Sequence, residues 1–210
     1  MQVKIRSVIA VVVAGVVLSA CSTGPQLAGS AAIVEGNVIP QSLVTAKVNE
    51  VRAELEQLPT GAVSTIPSLA LLSEMVLDHL VLKQVLDKGL AQQNITISKA
   101  QVEAFKQSIF AQYGEEKIRN QVMSMNGISS VEIDNFMEMI LAENLLAKLL
   151  APTAVSADQS NAMVKYLGDV SRTMNIRLSP RFGEWNPNKL QADGGDITLS
   201  QPALASVPKQ

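Results

Sequence analysis

Between Pro40 and Pro59 the apolar residues recur at steps of three and four positions, which is the spacing of one face of an α-helix. Charged side chains occupy the other faces of this segment. Pro40 suits the first turn of a helix, because its missing N–H would have no partner there. The Pro59-Thr60-Gly61 run predicts the end of the helix. The apolar stripe consists of Val44, Val48, Val51, Leu55 and Leu58.

A second helix is predicted from Pro67 to Gly89, and it is apolar around most of its circumference. A helix of this kind is normally buried between other helices. We therefore expect it to be the central helix of the fold, with Leu72, Val76 and Leu80 in the core.

Three serines, each followed three positions later by Gln or Glu, predict the capped starts of later helices. The helix after Ser129 extends to Leu150, and one further helix covers residues 115–125 before Asn126-Gly127 ends it. The capping pairs are Ser98 with Gln101, Ser129 with Glu132, and Ser156 with Gln159.

The apolar period changes from helical spacing to alternation at both ends of this helical region. Residues 31–34 and 38–39 predict two short strands around a tight turn, and residues 173–178 alternate apolar with polar side chains. The first and the last of these strands are most economically paired with each other. The sequence therefore predicts a mainly α-helical domain of five to six helices, with a small two- to three-stranded sheet that pairs the N-terminal and C-terminal strands.

The start of the chain has the pattern of an export signal. Two basic residues precede an aliphatic run over residues 8–18, which spans about 17 Å against about 30 Å for a bilayer core. This run is too short for a membrane span and has the length of a signal-peptide h-region. The following Leu18-Ser19-Ala20-Cys21 sequence resembles the lipobox of bacterial lipoproteins, in which the cysteine is acylated and becomes the new N-terminus. The alternative is an ordinary signal peptide with a chance cysteine.

This interpretation divides the chain into four segments. Residues 1–20 are a lipoprotein signal peptide, and residues 21–30, which are small and polar, are a flexible tether. Residues 31–185 form the helical domain. Residues 186–210 are expected to be a disordered tail, because the composition turns to Asp, Gly, Ser, Gln and Pro. The protein is then lipid-anchored through Cys21 at the extracytoplasmic face of the cell membrane.

Composition and motif content exclude several classes of function. Without the two basic residues of the signal region, 15 basic side chains face 19 acidic ones, and a charge near −4 argues against a nucleic-acid partner. Acylation of the only cysteine leaves no thiol for a disulfide. The sequence contains no metal-ligand cluster, phosphate loop or nucleophile motif, and His79 has no partner at catalytic spacing. We expect no catalysis, no cofactor, no bound metal and no small-molecule substrate.

Methionines are concentrated around the turn predicted at residues 126–127. An unbranched thioether adapts its shape to varied apolar partners, so these residues are the candidate peptide-binding site. Methionines at helical spacing are more often core residues, and this alternative stays open. The four candidates are Met123, Met125, Met137 and Met139.

The order of these features resembles one family. The segment from Ala32 to Ser42, AIVEGNVIPQS, resembles the strand-turn-helix opening of the SurA N-terminal domain, as found in SurA/PrsA-type proteins. The leucine-rich helix and the Ile95-Thr96-Ile97-Ser98 entry to the next helix follow the order of that family, so the resemblance covers about residues 31–178. It implies the peptide-binding, chaperone portion of an envelope foldase. It does not extend to a parvulin isomerase domain, because that site relies on a pair of histidines and the chain has one.

These observations predict a membrane-tethered, ATP-independent, extracytoplasmic chaperone-like protein that binds apolar segments of unfolded or exported polypeptides. The alternative is a structural or interaction lipoprotein with one specific envelope partner and no general chaperone activity. The sequence does not separate the two, since both require a tethered helical domain. A groove lined with exposed aliphatic side chains and methionine would favour the chaperone.

Overall fold

The computed structural model describes residues 27–195, and within this range six α-helices lie between short strands at either end. The predicted mainly helical fold with a small sheet is confirmed. None of the helices in this range has the length and apolar character needed to cross a bilayer. The predicted signal peptide and Cys21 lie outside the described residues. The elements are β1 (Ser30–Val34), β2 (Asn37–Pro40), α1 (Gln41–Glu56), α2 (Leu69–Gln92), α3 (Lys99–Tyr113), α4 (Glu115–Asn126), α5 (Ile133–Leu150), α6 (Ser156–Thr173), β3 (Ile176–Leu178), β4 (Gly183–Asn186) and β5 (Gln191–Gly194).

The strands from the two ends of the domain form one antiparallel sheet in the order β2-β1-β3. In the central strand, Ile33 is opposite Val38 of β2 and Arg177 of β3. β1 is buried along its whole length and contacts both α1 and α2. The predicted pairing of the first and last strands is therefore confirmed. The strand predicted over residues 173–178 is shorter than expected, because Thr173 still belongs to α6 and β3 begins at Ile176.

α2 is the central helix of the main core. Leu72 and Val76 are buried as predicted, whereas Leu80 is only half-buried at the edge of the same cluster. Gly89, near the end of α2, lets α6 approach closely, since a Cβ there would lie 2.8 Å from Leu167 Cδ2. The Tyr166 hydroxyl donates a hydrogen bond to the Gly89 carbonyl at 2.9 Å. The apolar stripe of α1 packs into this core through Val44, Val48, Val51 and Leu55.

One of the three predicted capping boxes forms. The Ser98 hydroxyl accepts a hydrogen bond from the Gln101 N–H, and the Gln101 side-chain oxygen accepts one from the Ser98 N–H. The box predicted at Ser156 and Gln159 is wrong, because α6 begins one residue too early for it and Ser156 is already helical. The Gln159 amide instead donates to the Ala151 carbonyl at 3.1 Å, across the turn between α5 and α6.

The capping box predicted at Ser129 and Glu132 is also wrong, because Glu132 forms a tertiary ion pair instead. A 3₁₀ turn lies between Ser129 and α5, and Glu132 at its end pairs with Lys47 of α1 at 2.6 Å. The Glu54 carboxylate accepts a hydrogen bond from the Ser130 N–H at 3.0 Å. These contacts fasten the start of α5 to α1.

The prediction of a disordered tail over residues 186–210 is wrong for its first part, where a C-terminal hairpin forms. β4 and β5 pair antiparallel, with Trp185 opposite Ala192. Phe182 and Leu190 anchor the hairpin in the main core. Residues 186–195 are therefore part of the domain, and residues 196–210 lie outside the described range. Four-residue strands with few apolar side chains are too short to give a clear period in the sequence.

Candidate peptide-binding groove

An open groove lies between the loop that joins α1 to α2, the first turn of α2 and one face of α4. Its volume is about 530 Å³, and most of its lining surface is apolar. The loop supplies one wall and α4 supplies the other. The first turn of α2 contributes Leu71 to the lining. The lining residues are Gly61, Ala62, Val63, Ser64, Thr65, Pro67, Leu71, Lys117, Gln121, Ser124 and Met125.

The start of α2 sets the position of Leu71. Ser68 caps the helix, and its hydroxyl accepts a hydrogen bond from the Leu71 N–H at 3.2 Å. Successive helical residues point about 100° apart, so the neighbouring Leu72 faces the core while Leu71 faces outward. Leu72 is fully buried and Leu71 is 42% exposed. Ile66, in the loop just before the helix, is 50% exposed.

The face of α4 that lines the groove carries Lys117, Gln121 and Ser124 at the i, i+4, i+7 spacing of one helix face. α4 ends at Gly127, whose φ of 65° is left-handed. A Cβ at this glycine would lie 3.0 Å from Met75 Cβ of α2, so the end of α4 rests directly against the central helix. Met125, in the last turn, is 62% exposed and completes the groove.

The four candidate methionines do not form one surface. Met123, Met137 and Met139 are buried, and only Met125 is exposed and lines the groove. For Met123, Met137 and Met139 the alternative of a core residue is confirmed, because the α4 and α5 faces that carry them are covered by core packing. The apolar pattern of the sequence did not indicate that the loop wall and Leu71 line a groove. The available signal was the apolar Val63 and Ile66 in a segment bounded by prolines.

The loop wall offers main-chain groups that are not used elsewhere in the described part of the chain. The Ala62 N–H donates to the Pro59 carbonyl, and the next main-chain hydrogen bond along the chain joins the Leu72 N–H to the Ser68 carbonyl. Residues 63–67 therefore have no main-chain partner within residues 27–195. Unpaired main-chain groups are the ones with which an extended peptide pairs in β-strand addition.

A second groove on the other side of α4 has a different character. It is about 630 Å³ in volume and is lined by Glu54, Glu115, Glu116 and Arg119 among others. Glu115 and Arg119 form an ion pair at 2.7 Å, and Glu54 is held by the Ser130 N–H. This groove is therefore lined by charged side chains, and its surface is less suited to an apolar ligand.

The buried titratable residues lie outside both grooves. Burial lowers the pKa of His79 to about 4, and its ring lies 6.3 Å from that of Phe136. Burial raises the pKa of Asp78 to about 7, and its carboxylate accepts from the Ala192 N–H at 2.7 Å. Neither residue borders a groove, so both act within the fold. No group of three His, Cys, Asp or Glu side chains that could hold a metal ion occurs among residues 27–195.

Comparison with protein families identifies one match. The model of the SurA-like N-terminal domain matches residues 2–117, which is more than half of the chain. Among the described residues the match includes β1 through α3 and the first turn of α4. The match therefore includes the loop wall, Leu71 and Lys117 of the groove. Searches of curated proteins and of solved structures found no match.

Proposed function

This chain belongs to the family of the SurA-like N-terminal domain, a family of non-catalytic, chaperone-type modules, and we propose that it is a membrane-tethered chaperone-like protein. It binds extended apolar segments of unfolded or exported polypeptides and needs no ATP. The observation that carries this proposal is the open groove in which exposed Leu71 and Met125 lie beside the unpaired main chain of residues 63–67.

The size and chemistry of the groove fit a short peptide segment. Its volume of about 530 Å³ lies within the range of about 300–1,000 Å³ that is typical of ligand sites. Burying one large aliphatic side chain contributes about 1.5–3 kcal/mol. Ordering a flexible peptide offsets much of this gain. Binding is therefore weak and reversible, which suits a protein that releases the polypeptides it binds.

The proposed anchor is a lipid on Cys21. The Leu18-Ser19-Ala20-Cys21 pattern supports it, and Leu27, where the described chain begins, is six residues further on. Two or three acyl chains give stable membrane attachment, whereas a single chain does not. Replacing Cys21 by Ala should leave the precursor uncleaved by lipoprotein signal peptidase and move the protein out of the detergent phase. Unchanged processing and partitioning would show that the lipid anchor is not there.

The test of chaperone activity compares two double variants. The purified protein should slow aggregation of a reduced, unfolded exported protein at stoichiometric ratios without nucleotide. Leu71→Gln with Met125→Gln should remove most of this effect. Val131→Gln with Val155→Gln is the control, because these side chains are 74% and 68% exposed but lie outside the groove. Equal loss in both pairs would mean that the groove is not the binding site.

The same protein should show only background activity in a prolyl-isomerase assay. Robust isomerisation would overturn the non-enzymatic part of the proposal. A protein without effect on aggregation that captures one stoichiometric partner in a crosslinked membrane pull-down would instead be an interaction lipoprotein.

A further inference from the structure

The second groove, on the other side of α4, contains a polar side chain that the fold does not use. Asn120 lines this groove and is only 8% exposed. Its main-chain carbonyl accepts a hydrogen bond from Ser124 Oγ at 2.9 Å, but its carboxamide has no hydrogen-bond partner within residues 27–195. The other buried polar residues of this range are serines. Buried polar side chains almost always have a partner, so Asn120 points to a group from outside the fold.

The carboxamide of Asn120 keeps contact with solvent through this groove. In the described part of the chain, the unpaired side-chain atoms that are sealed from solvent are Arg181 Nε and Trp185 Nε1. The carboxamide of Asn120 is unpaired but not sealed, and the groove is the opening that this residue lines. A carboxamide offers an NH₂ donor and a carbonyl acceptor, which match the C=O and the N–H of an extended peptide main chain.

The cation that lines this groove is already engaged by the fold. Arg119 donates to Glu115 through Nε at 2.8 Å and through Nη2 at 2.7 Å. Its Nη1 donates to the Ser130 carbonyl at 3.2 Å, and its guanidinium carbon lies 5.4 Å from the centroid of the Phe110 ring. Arg119 therefore neutralises Glu115 and leaves the other carboxylates of the groove without a cation.

These remaining carboxylates belong to Glu54 and Glu116. Neither forms an ion pair with any residue in the range 27–195. Glu54 is half-buried, and the Ser130 N–H donates to its carboxylate at 3.0 Å, which holds the side chain in place. A carboxylate has about four lone-pair sites, so this single N–H leaves most of them free. The groove thus combines a fixed acceptor of cations with an unused amide.

We propose that this groove binds an extended polypeptide segment that carries an arginine. The carboxamide of Asn120 pairs with the main chain of the segment, and the guanidinium pairs with Glu54 and Glu116. A guanidinium is favoured over an ammonium, because its planar fork donates two parallel hydrogen bonds to one carboxylate. The site goes beyond the proposed function, since it lies apart from the groove of Leu71 and Met125 and takes a ligand of different charge.

The ligand is tested with the full chain in nanodiscs of zwitterionic lipid. Two labelled peptides without large apolar side chains differ only in a central arginine against citrulline, its neutral isostere, and fluorescence anisotropy gives their Kd. Glu54→Gln with Glu116→Gln is the test variant, since a glutamine at position 54 can still accept from Ser130. Glu138→Gln with Asp158→Asn is the control, because these carboxylates are exposed, have no ion pair within the described residues and lie outside the groove.

The arginine peptide should bind about two to five times more tightly than the citrulline peptide to the wild type and to the control. The test variant should bind both peptides equally. Leu71→Gln with Met125→Gln should keep the arginine preference, because these residues line the other groove.

Asn120→Leu tests the contact with the main chain, because it has a similar volume and removes only the polar groups. A carboxamide without a partner in the fold adds nothing to stability, so the free energy of unfolding should not fall. The Kd of both peptides, measured where circular dichroism shows the variant to be folded, should rise about twofold to tenfold, the effect of one hydrogen bond. An unchanged Kd would remove Asn120 from the site and overturn the inference.

Equal binding of the two peptides to the wild type, or an arginine preference that persists in the glutamate variant, would also overturn the inference. Neither result would affect the proposed function, which the aggregation assay tests separately. An arginine preference in a protein that does not slow aggregation would support this site and overturn the proposed function alone.

Discussion

Ionisation of Asp78 should make the domain less stable as the pH rises. This residue lies on the central helix α2, and its Oδ1 accepts a hydrogen bond from the Ala192 N–H at 2.7 Å. The bond joins the C-terminal hairpin to the core. Burial raises the pKa of Asp78 from 3.8 to about 7, the Ala192 hydrogen bond opposes this shift, and repulsion from Glu74 adds to it.

The size of the effect follows from proton linkage. An unfolded chain ionises Asp78 near pH 3.8, whereas the folded protein retains the proton up to about pH 7. The folded state therefore binds more protons in this window, so the free energy of unfolding falls as the pH rises through it. At about 1.4 kcal/mol per pH unit, the loss reaches about 4 kcal/mol above pH 7.

His79 has the opposite effect at lower pH. Burial lowers its pKa from 6.5 to about 4, with the nearby charges of Glu132, Lys47 and Lys83 as smaller influences. The folded state excludes the imidazolium, so stability is lost as the pH falls from 6.5 towards 4. Between these values the two residues offset each other. Above pH 6.5 the destabilisation by Asp78 is no longer opposed by His79.

Asp78→Asn is the decisive variant, because it keeps an oxygen that can accept from Ala192 but cannot ionise. Relative to the wild type, its free energy of unfolding should increase by about 4 kcal/mol between pH 4 and pH 8. Chemical denaturation followed by circular dichroism measures this at each pH. Asp87→Asn is the control on the same helix, since this exposed carboxylate pairs with Lys83 and its loss should cost less than about 1 kcal/mol. Parallel stability curves for the wild type and Asp78→Asn would refute the reasoning.

Three further substitutions test the packing, each by its melting temperature and denaturation midpoint. Leu72→Ala should lower the free energy of unfolding by about 2–5 kcal/mol, because the side chain is fully buried. Leu71→Ala, in the groove, should lower it much less. Equal losses of stability in the two variants would contradict the orientation of α2. Gly89→Ala should destabilise by about 1–3 kcal/mol, since the new methyl group would meet Leu167 at 2.8 Å, and a stabilised variant would mean that α6 is not so close. Ile176→Pro should disrupt the pairing of β3 with β1 and lower the melting temperature of the whole domain, so an unchanged value would show that this pairing contributes nothing.

Local periodicity predicted most of the secondary structure. The stripe from Val44, the change to alternation near Ile176 and the Asn126-Gly127 stop are properties of short segments, and the structure confirms each of them. Only Leu58, the last residue of the predicted stripe, lies beyond the end of α1 at Glu56. The pairing of the terminal strands could also be predicted, because a short isolated strand leaves its main-chain groups unpaired and needs a neighbour. Two capping boxes failed where a tertiary contact or an early helix start competed with the local motif.

The exposure of each methionine could not be predicted from the sequence. Met123 and Met125 lie two positions apart on α4, so they point about 200° apart around the helix axis, and one must face away when the other is buried. Both belong to a polar helix, and the sequence does not say which of its faces another element will cover. The covering elements are α1, α2 and α3, which pack against α4 and all lie earlier in the chain. Tertiary packing therefore decided which methionine is exposed.

The sequence by itself determined the helices, the strand period and the family, because these depend on the order of neighbouring residues. The groove forms because the loop that follows α1 approaches α4. This approach is fixed by the close contact between Gly127 and Met75 and by the helix cap at Ser68. A surface formed by segments that are distant in sequence leaves no periodic signal in either of them. Only the tertiary structure could bring Leu71, Met125 and Lys117 together, since their proximity results from how α2 and α4 pack.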